Sequence, residues 1–151
     1  MYKKSLTHYI AKYLVDVLFI LSILCVALFP LFYGRIFEFI GYTTGAYKLP
    51  FALTVEISGI ICAYILFILM KMYFSLLEVN PFTDENVRSF RKMAVACFLV
   101  FIIYAFKTVL AFTLAALVIT VIFMVGCIFC LTLKDLFKQA VNYKAENDLT
   151  I

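Results

Sequence analysis

Between Met93 and Leu133 the chain runs MAVACFLVFIIYAFKTVLAFTLAALVITVIFMVGCIFCLTL, an apolar block whose one charged residue is Lys107. A helix needs about 20 apolar residues to cross the hydrocarbon core of a bilayer, which is about 30 Å thick. The block is twice that long and therefore predicts two membrane spans, 93–110 and 113–133, joined by a tight turn. We expect these spans, the third and fourth of the chain, to form an antiparallel helical hairpin.

Two further apolar runs precede this block, at residues 13–33 and 51–70. The first is longer than the core of a signal peptide and has no small-residue cleavage site after it, so we expect a retained span. The composition agrees, because 66% of the 151 residues are hydrophobic and only 15% are charged, against about 25% in soluble domains. The sequence predicts an all-α membrane protein in which residues 1–151 form one domain of four transmembrane helices.

Basic residues set the expected orientation in the membrane. With four spans, one side of the membrane carries Lys3, Lys4, Lys12, Lys71, Arg88, Arg91, Lys92, Lys134, Lys138 and Lys144. The other side carries Arg35, Lys48 and Lys107. Because cytoplasmic segments are enriched in Lys and Arg, we expect both termini, the loop 71–92 and the tail 134–151 on the cytoplasmic side of the cell membrane. The net charge of +4 is then a topology signal, and we expect no direct binding of nucleic acid.

Three charged residues fall inside the apolar runs, where a charge at the bilayer centre costs about 2.5–3.5 kcal/mol. Glu56 and Lys107 lie near the outer ends of spans two and three at similar depth, so we expect them to form an ion pair. An alternative is that these two residues, together with Tyr104, line a cavity that binds a cation, a proton or a polar ligand. Asp16 lies near the cytoplasmic face, where we expect it to reach one of the basic residues Lys12, Lys71 or Arg91.

The loop before span three has the sequence pattern of a helix N-terminus. Thr83 is placed as an N-cap, and Asp84 and Glu85 follow in the first turn, where the helix dipole favours anions. Phe82 and Val87 occupy the positions of a hydrophobic staple. The loop supplies a candidate cytoplasmic motif of Asn80, Pro81, Phe82, Thr83, Asn86, Arg88 and Arg91.

Other segments give weaker indications of structure. The loop 34–50 favours a short segment on the membrane surface or an irregular loop. Small residues suited to close helix approach are Gly126, Ala111, Ala115 and Ala116. The amphipathic face expected after residue 133 consists of Leu136, Phe137, Ala140 and Val141.

No pattern in the chain indicates catalysis. The Gly-rich phosphate loop, HExxH and GxSxG are all missing from the sequence. Cys127 and Cys130 form a CxxC pair within an apolar span with no nearby histidine, so we interpret them as packing residues rather than metal or redox ligands. We expect a protein without enzymatic activity, cofactor or metal.

The segment 80–88, NPFTDENVR, is followed by an apolar hairpin and by the ending 147–151, NDLTI. This arrangement resembles a family of small bacterial four-span membrane proteins of unknown function. In that family a Pro-Phe-Thr motif opens the third span and an acidic Leu-Thr-Ile tail closes the chain. Members are often encoded beside a small helix-turn-helix regulator, which implies a cytoplasmic protein partner, and the family supplies no catalytic residues.

Three functions remain open on this basis. The first is the binding or tethering of a cytoplasmic partner, such as a small transcription regulator, through the capped loop and the amphipathic tail. The second is a small transporter or resistance determinant that works as a homodimer and uses Glu56 and Lys107. The third is immunity against a membrane-active peptide, which no residue marks.

Overall fold

The computed structural model describes residues 6–39, 48–78 and 82–148. They form four α-helices, α1 (Leu6–Phe39), α2 (Lys48–Glu78), α3 (Asp84–Leu110) and α4 (Leu114–Asp148). Each helix contains an apolar stretch long enough to span a membrane. The protein is therefore an all-α, multi-pass membrane protein with four long apolar helices, as the sequence predicted.

The helices are arranged in a row in chain order. Among the described residues, backbones approach closely only between α1 and α2, between α2 and α3, and between α3 and α4. The α3–α4 hairpin has the most extensive of these contacts. Neighbouring helices run antiparallel, as two contacts between α1 and α2 show. The ring centroid of Phe19 lies 5.8 Å from that of Phe67, and Lys12, earlier in α1, contacts Phe74, which is later in α2.

Helix α3 lies at the centre of the packed interior. One cluster of buried side chains joins α2, α3 and α4 and consists of Ile68, Met93, Ala94 and Cys130. A second cluster consists of Val100, Tyr104 and Ala116. Of the small residues expected to permit close approach, Ala116 is almost fully buried, whereas Ala111 and Ala115 are exposed.

The turn between α3 and α4 takes three residues, 111–113. The Ala111 N–H donates to the carbonyl of Lys107 at 2.8 Å and closes α3. The hydroxyl of Thr113 accepts from the N–H of Ala116 at 3.3 Å, which makes Thr113 the N-cap of α4. The predicted tight hairpin is confirmed.

The first helix is longer than its predicted span. We expected a loop from Gly34, but α1 continues through Gly34 to Phe39 and contains Pro30. Proline removes one hydrogen bond, here to the carbonyl of Val26, and glycine costs about 1 kcal/mol in a helix interior. Neither residue is sufficient to end α1. The rest of that predicted loop, residues 40–47, lies outside the described residues, as do Asn80, Pro81 and the final residues 149–151.

Candidate functional site

The antiparallel row brings the starts of α1 and α3 and the ends of α2 and α4 to one end of the molecule. We call this the basic end because, among the described residues, it carries Lys12, Lys71, Arg88, Arg91, Lys92, Lys134, Lys138 and Lys144. The opposite end carries Arg35, Lys48 at the start of α2, and Lys107. The fold thus groups the basic residues as the four-span topology requires.

A cleft of about 670 Å³ opens between α1, α2 and α3 at the basic end. Its lining residues are Lys12, Asp16, Phe19, Ile20, Met70, Lys71, Met72, Phe74, Ser75, Glu85, Asn86 and Ser89. We call it the three-helix cleft. Its volume lies within the range of about 300–1,000 Å³ that is common for ligand sites.

Asp16 is the unusual residue of the three-helix cleft. Its Oδ1 atom is buried and has no hydrogen-bond partner. The ammonium group of Lys12 lies 5.5 Å from the centroid of the Phe74 ring, and that of Lys71 lies 5.4 Å from the Phe67 ring. Asp16 makes no ion pair with any described residue, so the pairing expected from the sequence is not formed. The cleft therefore contains a carboxylate acceptor without a donor.

The predicted helix start is the second feature of this end. Thr83 is the N-cap of α3, and its hydroxyl accepts from the N–H of Asn86 at 3.3 Å. Asp84 and Glu85 occupy the first turn, as predicted. Asn86 is only 4% exposed and lines the three-helix cleft. The cap thereby fixes the position of two cleft residues, Glu85 and Asn86.

Phe82 connects the same helix start to α4. Its ring centroid lies 5.6 Å from that of Phe137, which in turn lies 4.9 Å from that of Phe90. The predicted amphipathic face of α4 is formed in part, since Phe137, Ala140 and Val141 are half-buried. Leu136 was expected on that face but is 55% exposed.

A groove of about 630 Å³ lies between α2 and α3. Its lining residues are Ile60, Ile61, Tyr64, Arg88, Arg91, Lys92, Val95, Ala96 and Leu99. We call it the α2–α3 groove. It is basic where α3 begins and apolar along the rest of its length.

The charged residues at the opposite end do not form the expected pair. Glu56 and Lys107 are both described, and they make no ion pair with each other. The Lys107 ammonium group lies 3.7 Å from the centroid of the Phe51 ring, which accepts a cation on its π-face. The Oε2 atom of Glu56 is buried without a hydrogen-bond partner. Tyr104 is buried, and its hydroxyl lies 3.2 Å from that of Ser58.

Sequence reasoning gave no role to Phe51, Ser58 or Thr113. The sequence feature that marks Ser58 is a hydroxyl inside an apolar span, because polar groups in membrane helices form hydrogen bonds with neighbouring helices. The feature that marks Thr113 is its place directly after a hairpin turn, where threonine is a common N-cap. Phe51 carries no such signal, since its contact with Lys107 depends on how α2 and α3 are rotated.

The described residues form neither a metal site nor a disulfide bond. In residues 6–39, 48–78 and 82–148, no group of three or more His, Cys, Asp or Glu side chains is placed to hold a metal ion. The thiols are free, namely those of Cys25, Cys62, Cys97, Cys127 and Cys130.

Comparison of the sequence with known protein families gives a match over nearly the whole chain. Residues 5–151 match the model of a family described as a protein of unknown function, DUF2975. The chain belongs to the DUF2975 family. The resemblance to a four-span family of unknown function is thereby confirmed. No curated protein matches this DUF2975 chain, and no solved structure matches it.

Proposed function

We propose that this DUF2975 protein binds a cytoplasmic protein partner at the three-helix cleft and holds it at the bacterial cell membrane. In this proposal the protein has no enzymatic activity, and both termini and the basic end face the cytoplasm. The partner we propose is a small helix-turn-helix regulator. The observation that carries the proposal is the buried Oδ1 atom of Asp16, which has no hydrogen-bond donor.

A buried acceptor without a donor is costly to the free protein. Such a group costs about 1–3 kcal/mol relative to a satisfied one, and more when it is charged. Lys12 and Lys71 do not meet this need, because both ammonium groups lie over aromatic rings. A lysine, an arginine or a backbone N–H of a partner that enters the cleft would supply the missing bond and recover this free energy on binding.

The surroundings of the cleft suit a protein partner. Glu85 is a second acidic residue in the lining. The lining also contains Lys12 and Lys71, whose ammonium groups lie over aromatic rings, so a Lys or Arg of a DNA-binding domain would pair with the Asp16 carboxylate. At the same end of the molecule, Phe82 is 42% and Tyr143 is 66% exposed, and exposed aromatic residues are common anchors of protein interfaces.

Site-specific crosslinking in cells tests this proposal. A photoreactive amino acid replaces Ser75, which lines the cleft, or Val109, which is exposed at the opposite end. We expect the Ser75 position to capture one DNA-binding protein, identified by mass spectrometry, and the Val109 position not to capture it. A fluorescent fusion of that protein should be at the membrane with the wild type and in the cytosol with Asp16→Ala. A membrane location that Asp16→Ala leaves unchanged would contradict the proposal.

Transport is a second candidate because one observation favours it. The Oε2 atom of Glu56 is buried without a partner, and intramembrane carboxylates are frequent in proton and ion pathways. Proton flux into proteoliposomes, followed with a pH-sensitive dye, would show whether the purified protein conducts. Glu56→Gln should abolish the flux, whereas Glu38→Gln, an exposed site on α1, should leave it unchanged. Absence of flux with folded wild-type protein would remove proton transport.

A further inference from the structure

We infer that the α2–α3 groove binds one anionic phospholipid from the leaflet at the basic end. The headgroup phosphate would lie on Arg88, Arg91 and Lys92, and an acyl chain would follow the apolar part of the groove. This site is separate from the proposed partner site and does not depend on it.

Charge complementarity supports an anionic headgroup. Arg88, Arg91 and Lys92 line one end of the groove, and no acidic residue lines it. Arg91 and Lys92 make no ion pair with any acidic side chain of the described residues. Arg88 donates from Nε to the carbonyl of Asp84 at 3.4 Å, which leaves its terminal nitrogens available. Guanidinium and phosphate groups form strong, charge-assisted and often bidentate hydrogen bonds.

One acidic residue lies nearby and limits the region of positive charge. Glu85 lines a smaller cavity of about 290 Å³ that shares Arg88 and Lys92 with the groove and adds Lys71. This adjoining cavity therefore has three basic residues and one acidic residue. The combined region remains positively charged.

The length of the groove supports a lipid rather than a soluble anion. From Arg88 to Leu99, α3 rises about 17 Å at 1.5 Å per residue. One leaflet contributes half of a hydrocarbon core of about 30 Å, or about 15 Å. Along this length the groove is lined by exposed apolar side chains, including Ile60, Val95 and Leu99. Arg88 thus lies about one leaflet depth from the inner end of the apolar groove, and Arg91 and Lys92 lie about one helical turn closer to it.

The groove also lies where a lipid, and not a water-borne peptide, would reach it. Its apolar lining belongs to the stretches of α2 and α3 that are long and apolar enough to span a membrane. Basic pockets between transmembrane helices on the cytoplasmic side are typical binding sites of anionic lipid headgroups.

Native mass spectrometry of the full-length protein in detergent tests the inference. Phosphatidylglycerol and phosphatidylcholine with identical acyl chains are added in turn, and the population of one-lipid adducts is measured. Wild type should bind phosphatidylglycerol at least about tenfold more tightly than phosphatidylcholine. Each basic residue near an anionic group contributes about fivefold, so R91Q/K92Q should weaken phosphatidylglycerol binding by about 25-fold.

Matched variants separate the groove from general surface charge. K138Q/K144Q removes the same charge from α4, outside the groove, and should leave the affinity unchanged. Val95→Phe fills the groove and should weaken both lipids, whereas Val121→Phe, at a similarly exposed position on α4, should weaken neither. Inorganic phosphate at millimolar concentration should not displace phosphatidylglycerol.

Four outcomes would overturn the inference. They are an R91Q/K92Q variant that binds as tightly as wild type, an equal loss in K138Q/K144Q, displacement by inorganic phosphate alone, and a dimer mass that Val95→Phe abolishes. The last result would mean that a second copy of the chain occupies the groove.

Discussion

The hydroxyl of Tyr104 on α3 lies 3.2 Å from the hydroxyl of Ser58 on α2, and both residues are buried. Most other hydroxyl groups in the spans bond within their own helix, as those of Thr108 and Thr120 do to the carbonyls four residues before them. The Ser58 hydroxyl also donates to the Val55 carbonyl of its own helix at 2.9 Å, but its contact with the Tyr104 hydroxyl joins two helices. In an apolar solvent it is a directional link that fixes how α2 and α3 are placed along each other.

Tyr104→Phe should lower the free energy of unfolding by about 0.6–1.5 kcal/mol, because interhelical hydrogen bonds in membranes have about this value. Ser58→Ala should have a similar effect, and the double variant should lose little more than either single one. Unfolding in SDS titrations measures these changes. Tyr64→Phe is the control, since Tyr64 is 45% exposed on α2. A fully additive double variant would show that the two hydroxyl groups do not interact.

Gly59 and Gly126 should respond differently to alanine. A Cβ atom at Gly59 would lie 3.2 Å from Cγ2 of Val26 on α1, whereas one at Gly126 would lie 3.8 Å from Sγ of Cys97, an ordinary contact. Gly126→Ala should therefore stabilise the protein by about 0.5–1 kcal/mol through helix propensity. Gly59→Ala should stabilise the protein less than Gly126→Ala does, or destabilise it, because of the close contact with Val26.

Shortening the Val26 side chain tests whether its contact with a Cβ atom at residue 59 causes this difference. In a Val26→Ala background, Gly59→Ala should gain as much as Gly126→Ala does in the wild type, measured by thermal unfolding in detergent. If Val26→Ala leaves the effect of Gly59→Ala unchanged, close packing of α1 on α2 at this point is not the cause.

Thr83→Ala should cost about 1 kcal/mol, the usual value of an N-cap hydroxyl, and Thr83→Ser should cost little. The substitution removes one of two acceptors of the Asn86 N–H, which also donates to the Thr83 carbonyl at 3.1 Å, so hydrogen exchange at residues 84–86 should become faster. Thr132→Val is the control, since the Thr132 hydroxyl only donates to the Ile128 carbonyl of its own helix. Equal exchange rates in Thr83→Ala and wild type would contradict the capping role.

Lys107 and Phe51 should show a coupling energy in a double-mutant cycle. The ammonium group lies 3.7 Å from the ring centroid, and a desolvated cation–π contact contributes about 2 kcal/mol. Phe51→Leu should therefore destabilise the wild type more than it destabilises Lys107→Met. Equal effects in the two backgrounds, read from SDS unfolding, would mean that the ring does not stabilise the charge.

Asp16→Asn should not lower stability, although it removes a charge from the three-helix cleft. The Oδ1 atom of Asp16 has no donor to lose, and a neutral amide costs less to bury than a carboxylate. Thermal unfolding of the purified variant should show an equal or higher midpoint. A large loss of stability would reveal a structural role for the carboxylate, which the partner-binding proposal does not include.

Much of the fold followed from local patterns. The length of the block from Met93 to Leu133 predicted a hairpin, because no single span needs so many apolar residues. Thr83 with two acidic residues after it predicted the start of α3 for reasons of cap and dipole alone. The alternation of basic segments predicted that Lys12, Lys71 and Arg88 lie at one end, and an antiparallel row places them there.

The pairing of polar groups did not follow from the sequence. Glu56 and Lys107 have suitable depth for an ion pair, yet Lys107 lies on Phe51. Asp16 has basic residues within reach along the chain, yet pairs with none of the described ones. Depth depends on position in the sequence, whereas contact depends on the direction each side chain takes around its helix.

The sequence by itself determined the number of helices, the N-cap of α3 and the end at which each charge lies, because these depend on length, local hydrogen bonding and chain direction. Only the tertiary structure decided which faces meet, and hence the unpaired Asp16 and the basic mouth of the α2–α3 groove. These helices are apolar nearly all round, so their periodicity does not mark a buried face. Between such helices in lipid, side-chain shape and a few polar contacts set the rotation.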